Sequence, residues 1–215
     1  MAPMCGNEGT VVYPGALLMA IYHKGLDDNE TSELTAAMAK HSFNFTWPKS
    51  WRHLVVDKHS SGGVGDKISL VLVPVLMALG LKVPMVSGYK LQFTGGTLDK
   101  MESVPGVRVD ATTDEVTRWV TKNGGCIVSQ SKEINPADRL IYATRDSVHA
   151  VDCLPLIIAS IASKKLVEGL SAMVFDVKTG RGALSKDEAM AREMALRLVG
   201  AEDHVSPGIY TGGGL

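Results

Sequence analysis

The side chains best suited to chemistry gather at two glycine-rich stretches. Lys58, His59, Ser60 and Ser61 stand at the first, which continues Gly62-Gly63-Val64-Gly65. Ser87, Thr94 and Thr97 stand at the second, with Gly88, Gly95 and Gly96. A cation, a titratable ring and several hydroxyls can hold an oxyanion and act on a group beside it. Each stretch follows a short apolar run, Leu54-Val55-Val56 or Val83-Pro84-Met85-Val86, that reads as a buried strand, and each leads into a helix-like segment. Strand, glycine turn and helix start together aim free backbone N–H groups at an anion.

Two generic phosphate motifs are excluded by spacing. In Gly65-Asp66-Lys67-Ile68 the lysine follows an aspartate and no hydroxyl follows it, so a Walker loop fails. Gly63 and Gly65 open a dinucleotide fingerprint, but Ile68 stands where its third glycine belongs. Farther along, Ser160 and Lys164 are four residues apart and share one helix face, with Arg145 on the preceding segment. Taken singly, each serine or threonine is more readily a helix cap or turn residue, and the bland reading of Lys164-Lys165 is a solvated helix end.

The elements that must position these groups alternate in type. Pro14 to Tyr22 reads as a helix with proline in its first turn and Gly25 just past its end, after an unpatterned Met1–Val12. A second helix runs from Asp28 or Asn29 to Lys40, with Thr31, Leu34, Ala37 and Met38 on one face, and Phe43–Trp51 reads as a linker. Strands at 54–56, 83–86, 126–128 and 173–177 are separated by helices at 69–79, 97–102 and 113–123, the last stopped by Gly124-Gly125. Pro74 should kink the first of these or fall in a bend. From Pro136 the pattern is helical through Asp138–Asp146 and a long apolar helix at 154–170, and a charged helix follows at 187–199.

Composition narrows the class. The chain has 215 residues and 45% hydrophobic content, enough for a core. A net charge of −1 and only 6% aromatics argue against nucleic acid or an anionic membrane as partner. Cys5, Cys126 and Cys153 form no close pair, so a disulfide framework or metal knuckle is not expected. The apolar stretch Ile68–Leu81 is too short to span a bilayer, and the N-terminus lacks a secretory pattern. The expectation is a cytoplasmic globular protein.

Four segments in order, KHSSGGVGDKISL, SGYKLQFTGGTLDKMESVPG, PADRLIYATRD and PLIIASIASKKLVEGL, resemble the thymidine/pyrimidine-nucleoside phosphorylase family, and the likeness extends from about Pro14 to about Gly200. The resemblance implies an α/β fold: a small all-helical domain plus a partial α/β domain with a mixed sheet, nucleoside phosphorylase/phosphoribosyltransferase-like. It implies helical segments at 1–47 and 136–170, with the α/β portion at 48–135 and 171–215. It implies phosphate binding by Lys58, Ser60, Ser69, Ser87 and Thr97. It implies a grip on the pyrimidine by Arg145, Ser160 and Lys164, and His59 acting on the pyrimidine O2. Arg145 and Lys164 join His59 as catalytic candidates, since a pyrimidine leaving a sugar carries negative charge that fixed cationic donors stabilise. A reference pKa near 6.5 lets His59 protonate or hydrogen-bond a departing oxygen.

The implied reaction is phosphorolysis of thymidine to thymine and 2-deoxy-α-D-ribose 1-phosphate. It uses phosphate as co-substrate and needs no cofactor or metal. A homodimer through the helices, and closure of the two portions over the substrates, are implied as well.

Two departures qualify the implied activity. Where the family has Ser-Gly-Arg-Gly-Leu-Gly-His-Thr-Gly-Gly-Thr, this chain has Ser87-Gly88-Tyr89-Lys90-Leu91-Gln92-Phe93-Thr94-Gly95-Gly96-Thr97, so Lys90 and Gln92 must follow a backbone built for glycine. Family members are also far longer, which implies a truncated chain with an open sheet edge. Two alternatives follow: a non-catalytic relative that binds ligand, and an anthranilate phosphoribosyltransferase-like enzyme. The latter needs paired acids near the second glycine turn, where Asp99 stands.

Overall fold

The computed structural model describes residues 8–90, 94–205 and 210–214. Helix α1 (Glu8–Lys24) begins six residues before the expected Pro14 and carries that proline inside. It ends as expected at Gly25, whose N–H bonds Ile21 O at 2.8 Å from a left-handed φ of 75°. Helix α2 (Asp28–Lys40) is started by a reciprocal cap, Asp27 accepting from the Glu30 N–H and Glu30 from the Asp27 N–H. Its buried face is Thr31, Thr35, Met38 and Ala39, while Ala37 is exposed. The buried hydroxyls are tolerated because each donates to a carbonyl one turn back.

The segment expected as a linker is fastened. Phe45, Trp47 and Trp51 stack in series, Phe45 N–H bonds Val167 O, and Trp47 Nε1 donates to Glu168 O at 2.8 Å. Strand β1 (Val56–Ser60) starts two residues later than expected, so Lys58, His59 and Ser60 lie on the strand rather than in the turn. Parallel pairing fixes this: β1 lies beside β4 (Ala172–Asp176), with Lys58 opposite Val174 and Ser60 opposite Asp176. Helix α3 (Ile68–Ala78) runs through Pro74. Strand β2 (Val83–Ser87) pairs in parallel with β3 (Gly125–Ser129). Between them lie α4 (Thr97–Glu102) and α5 (Thr113–Asn123), the latter stopped by Gly124 at φ 96° as expected.

Helix α6 (Pro136–Ser147) precedes α7 (Leu154–Leu166). The latter stops short of Leu170 because Gly169 is left-handed and lies against Phe45 O, where an added Cβ would sit 2.5 Å away. Helix α8 (Glu188–Val205) runs six residues past the expected end and buries Ala201 and Glu202. Strand β5 (Tyr210–Gly214) lies parallel to β4.

Among the described residues the named strands form two parallel sheets, β1-β4-β5 and β2-β3, instead of one mixed sheet. Helical crossovers return each strand in the same direction, which makes parallel pairing the natural outcome. The sheets touch where Val55 faces Lys82, and the ladder goes no farther. Ile157, Ile158 and Ile161 of α7 pack with Met173 and Phe175 of β4 and with Met194 and Leu198 of α8. A second cluster joins Val86 and Val128 to Val116 and Val120 of α5. No helix among the described residues is long and apolar enough to cross a membrane.

Candidate active site

Where β1 and β2 part, a cavity opens against α6 and α7. All nine expected site residues line it: Lys58, His59, Ser60, Ser69, Ser87 and Thr97 on the strand side, and Arg145, Ser160 and Lys164 on the helix side. Residues about 100 positions apart in the chain thus face one volume.

The strand side carries a lysine, an imidazole and several hydroxyls. Lys58 Nζ lies 3.3 Å from Ser69 Oγ and 3.3 Å from Asp176 Oδ2. Burial lowers its pKa, with Asp66 and Asp176 opposing. Ser69 is the second residue of α3, so it occupies the first turn that its reach requires. Ser60 Oγ accepts the Gly62 N–H at 3.1 Å. Burial pushes Asp66 upward, but the Ser60 hydroxyl, Lys58 and the Ile68 N–H outweigh it and leave the carboxylate below its ordinary range. Ser87 closes β2, and Thr97 opens α4. Gly96 cannot be replaced there, since a Cβ would meet the Tyr89 carbonyl carbon at 2.4 Å. Among the described residues only Asn135 and His149 are non-glycines with positive φ, so Lys90 takes ordinary backbone. Leu91, Gln92 and Phe93 of the altered loop lie outside the described residues, as does Cys5.

The helix side is more deeply buried. Lys164 Nζ donates to Asp138 Oδ2 at 2.6 Å and to Ser160 Oγ at 2.8 Å. Burial lowers its pKa, Asp138 counteracts, and Lys165 and Arg145 lower it further. Arg145 donates to the Ala150 carbonyl at 3.3 Å, the Leu156 carbonyl at 3.1 Å, and the Val151 carbonyl. Its fork therefore braces the α6–α7 connection as well as lining the cavity. His59 is held well below the usual imidazole range by burial and then by Lys165, Lys164 and Lys58. With its pKa held there, the ring favours the neutral form, which carries one N–H donor and one acceptor nitrogen.

Sequence reasoning missed the partners that hold these groups. Asp138 pairs Lys164 from inside the PADRLIYATRD segment, Asp176 pairs both Lys58 and Lys178 from β4, and the Tyr142 hydroxyl donates to Lys90 O at 2.6 Å across the cavity. Nothing in the spacing of Asp138 or Asp176 marked them. Asp99 is committed to structure, accepting the Gly96 N–H at 2.9 Å. Burial pushes the Cys126 thiol up to about 12, which makes it a poor nucleophile.

Fold and site together describe a parallel α/β protein whose split sheet joins an oxyanion-type cluster to an arginine–serine–lysine cluster. Residues 52–202, more than half of the chain, match the glycosyl transferase family, a/b domain, and the chain belongs to that family. It is 55% identical to human thymidine phosphorylase over 186 residues, covering 86% of this chain and 39% of that protein. It is 47% identical over 184 residues to the pyrimidine-nucleoside phosphorylase of Geobacillus stearothermophilus, covering 86% of this chain and 42% of that protein. To the thymidine phosphorylase of Sinorhizobium fredii it is 42% identical over 193 residues, or 90% and 43% of the two chains. The chain thus spans about two fifths of the length of these curated relatives.

Proposed function

We propose that this chain carries the substrate site of a pyrimidine-nucleoside phosphorylase and acts on thymidine and inorganic phosphate. Lys58, Ser60, Ser69, Ser87 and Thr97 hold the phosphate, and Arg145, Ser160 and Lys164 hold the pyrimidine. A phosphate oxygen attacks C1′ of the deoxyribose as the C1′–N1 bond breaks through an oxocarbenium-like transition state. The bonding pair leaves with the pyrimidine, and its charge spreads to the ring oxygens, where the His59 N–H and the Lys164 ammonium stabilise it. The proton of monohydrogen phosphate ends on the pyrimidine, giving thymine and 2-deoxy-α-D-ribose 1-phosphate. The observation that carries this reading is the single cavity shared by both clusters. The test is release of thymine from thymidine by the folded chain. Release that depends on added phosphate is expected, and no release from a well-folded sample would overturn the reading.

A second reading is favoured by Arg145, whose three bonds to main-chain carbonyls commit it to structure. In that reading the chain binds phosphate and thymine without turnover. Calorimetry with each ligand, beside the turnover assay, separates the two.

A further inference from the structure

The chemistry above makes no use of Lys165, although it is fully buried among charges. Its Nζ donates to Asp57 Oδ2 at 2.6 Å, to Glu168 Oε1 at 2.5 Å and to Val86 O at 2.9 Å. The same Glu168 oxygen accepts the Val86 N–H at 2.8 Å. A strand residue directs its N–H and C=O to one side, and those of Val86 point away from β3, towards the gap beside β1. In an unbroken sheet the β1 backbone would satisfy them. Here the ladder ends at Val55 and Lys82, and two side chains, Lys165 at the end of α7 and Glu168 in the turn after it, take its place.

Each residue the cluster ties down is one covalent step from a cavity residue on a different element. Asp57 precedes Lys58 on β1, Val86 precedes Ser87 on β2, and Lys165 follows Lys164 on α7. Asp57 Oδ1 and Glu168 Oε2 are both buried with no hydrogen-bond partner among the described residues. Burial, and then Asp57, hold the Glu168 carboxyl well above the ordinary range. A proton held by the Glu168 carboxyl leaves one cation, Lys165, facing one anion. Buried ion pairs seldom stabilise a fold more than apolar side chains of similar volume, so stability alone does not account for the cluster.

We propose that Lys165, Glu168 and Asp57 form a positioning group that holds β1 and β2 apart at the width where Lys58 and Ser87 reach one phosphate while Lys164 faces the base. This rests on the functional reading above. The test compares Glu168→Gln with Glu168→Leu in the full chain. Glutamine keeps an oxygen for the Val86 N–H and a donor for Asp57, whereas leucine leaves that N–H unpaired, at a cost of about tenfold or more. The leucine variant is expected to weaken binding of inorganic phosphate at least about tenfold and to speed Val86 amide exchange by a similar factor. Thymine affinity should stay within about twofold, and the glutamine variant should match the unsubstituted chain within about threefold.

Equal loss of both ligands, or phosphate affinity and Val86 exchange unchanged in the leucine variant, would overturn the proposal. Should that variant not fold, Glu168→Asp, which draws the acceptor back by one methylene, is judged by the same criteria. If the unsubstituted chain binds neither ligand, the functional reading fails by itself. Val86 exchange then decides whether the cluster sets the strand separation: faster exchange with leucine supports it, and unchanged exchange ends it.

Discussion

Replacing Asp138 by asparagine removes one charge from the helix side of the cavity and almost nothing else. The Lys164–Asp138 contact is 2.6 Å, with 3% and 0% of the two side chains exposed. If Lys164 keeps its proton, an uncompensated buried charge costs about 3–5 kcal/mol. If it gives the proton up, the loss is capped by the work of neutralising an amine with an ordinary pKa of 10.5 at pH 7, about 5 kcal/mol at roughly 1.4 kcal/mol per unit. The first route sets a loss of about 3–5 kcal/mol and the second caps it at about 5, so the expected fall is roughly 6–20 °C in Tm for a chain of this size.

The pH dependence separates this from simple loosening. Burial already lowers Lys164, and the substitution lowers it further, so the unfolded state binds the extra proton. Stability of Asp138→Asn must then rise as pH is raised towards 10.5, by up to about 1.4 kcal/mol per unit relative to the unsubstituted chain. Urea melts of both proteins at pH 7 and pH 9.5 measure it. A loss under about 1 kcal/mol, or a pH-independent one, would refute the ion pair as the holder of Lys164.

Three further outcomes are expected. Because His59 sits below its ordinary pKa, the unfolded chain takes up a proton there first, so stability should fall as pH drops below about 6.5, and His59→Asn should flatten that part of the curve in urea melts. Lys58→Met should weaken phosphate binding by about tenfold or more while leaving thymine affinity nearly unchanged, as read by calorimetry. Glu202 is buried, with both carboxyl oxygens unpaired among the described residues, and is pushed up to about 7. The folded state therefore binds its proton more tightly, and stability is lost as pH rises from about 4.5 to 7; Glu202→Gln should raise Tm at pH 8 by several degrees.

Much of the local structure was legible because its signals are local. The helix start at Asp28, the run Thr113–Asn123 with Gly124 behind it, and Gly25 after the first helix act through bonds spanning a few residues. The candidate site was legible because its residues fall inside short ordered motifs. Less legible were the limits set by packing. Strand β1 took in Lys58 and His59 because β4 lies beside it, α7 stopped at Leu166 because Gly169 meets Phe45, and the supposed linker was pinned by Trp47 to Glu168 O.

The order of residues alone determined which cations, hydroxyls and turns this protein has, since propensity and capping depend on near neighbours. Only the tertiary structure decided which carboxylate answers which cation: Asp138 for Lys164, Asp176 for Lys58, and Asp57 with Glu168 for Lys165. It also decided that His59 is held well below its ordinary pKa and that two strands part where the cavity opens. Burial and charge act through space between segments far apart in the chain, and no local pattern records which segments will meet.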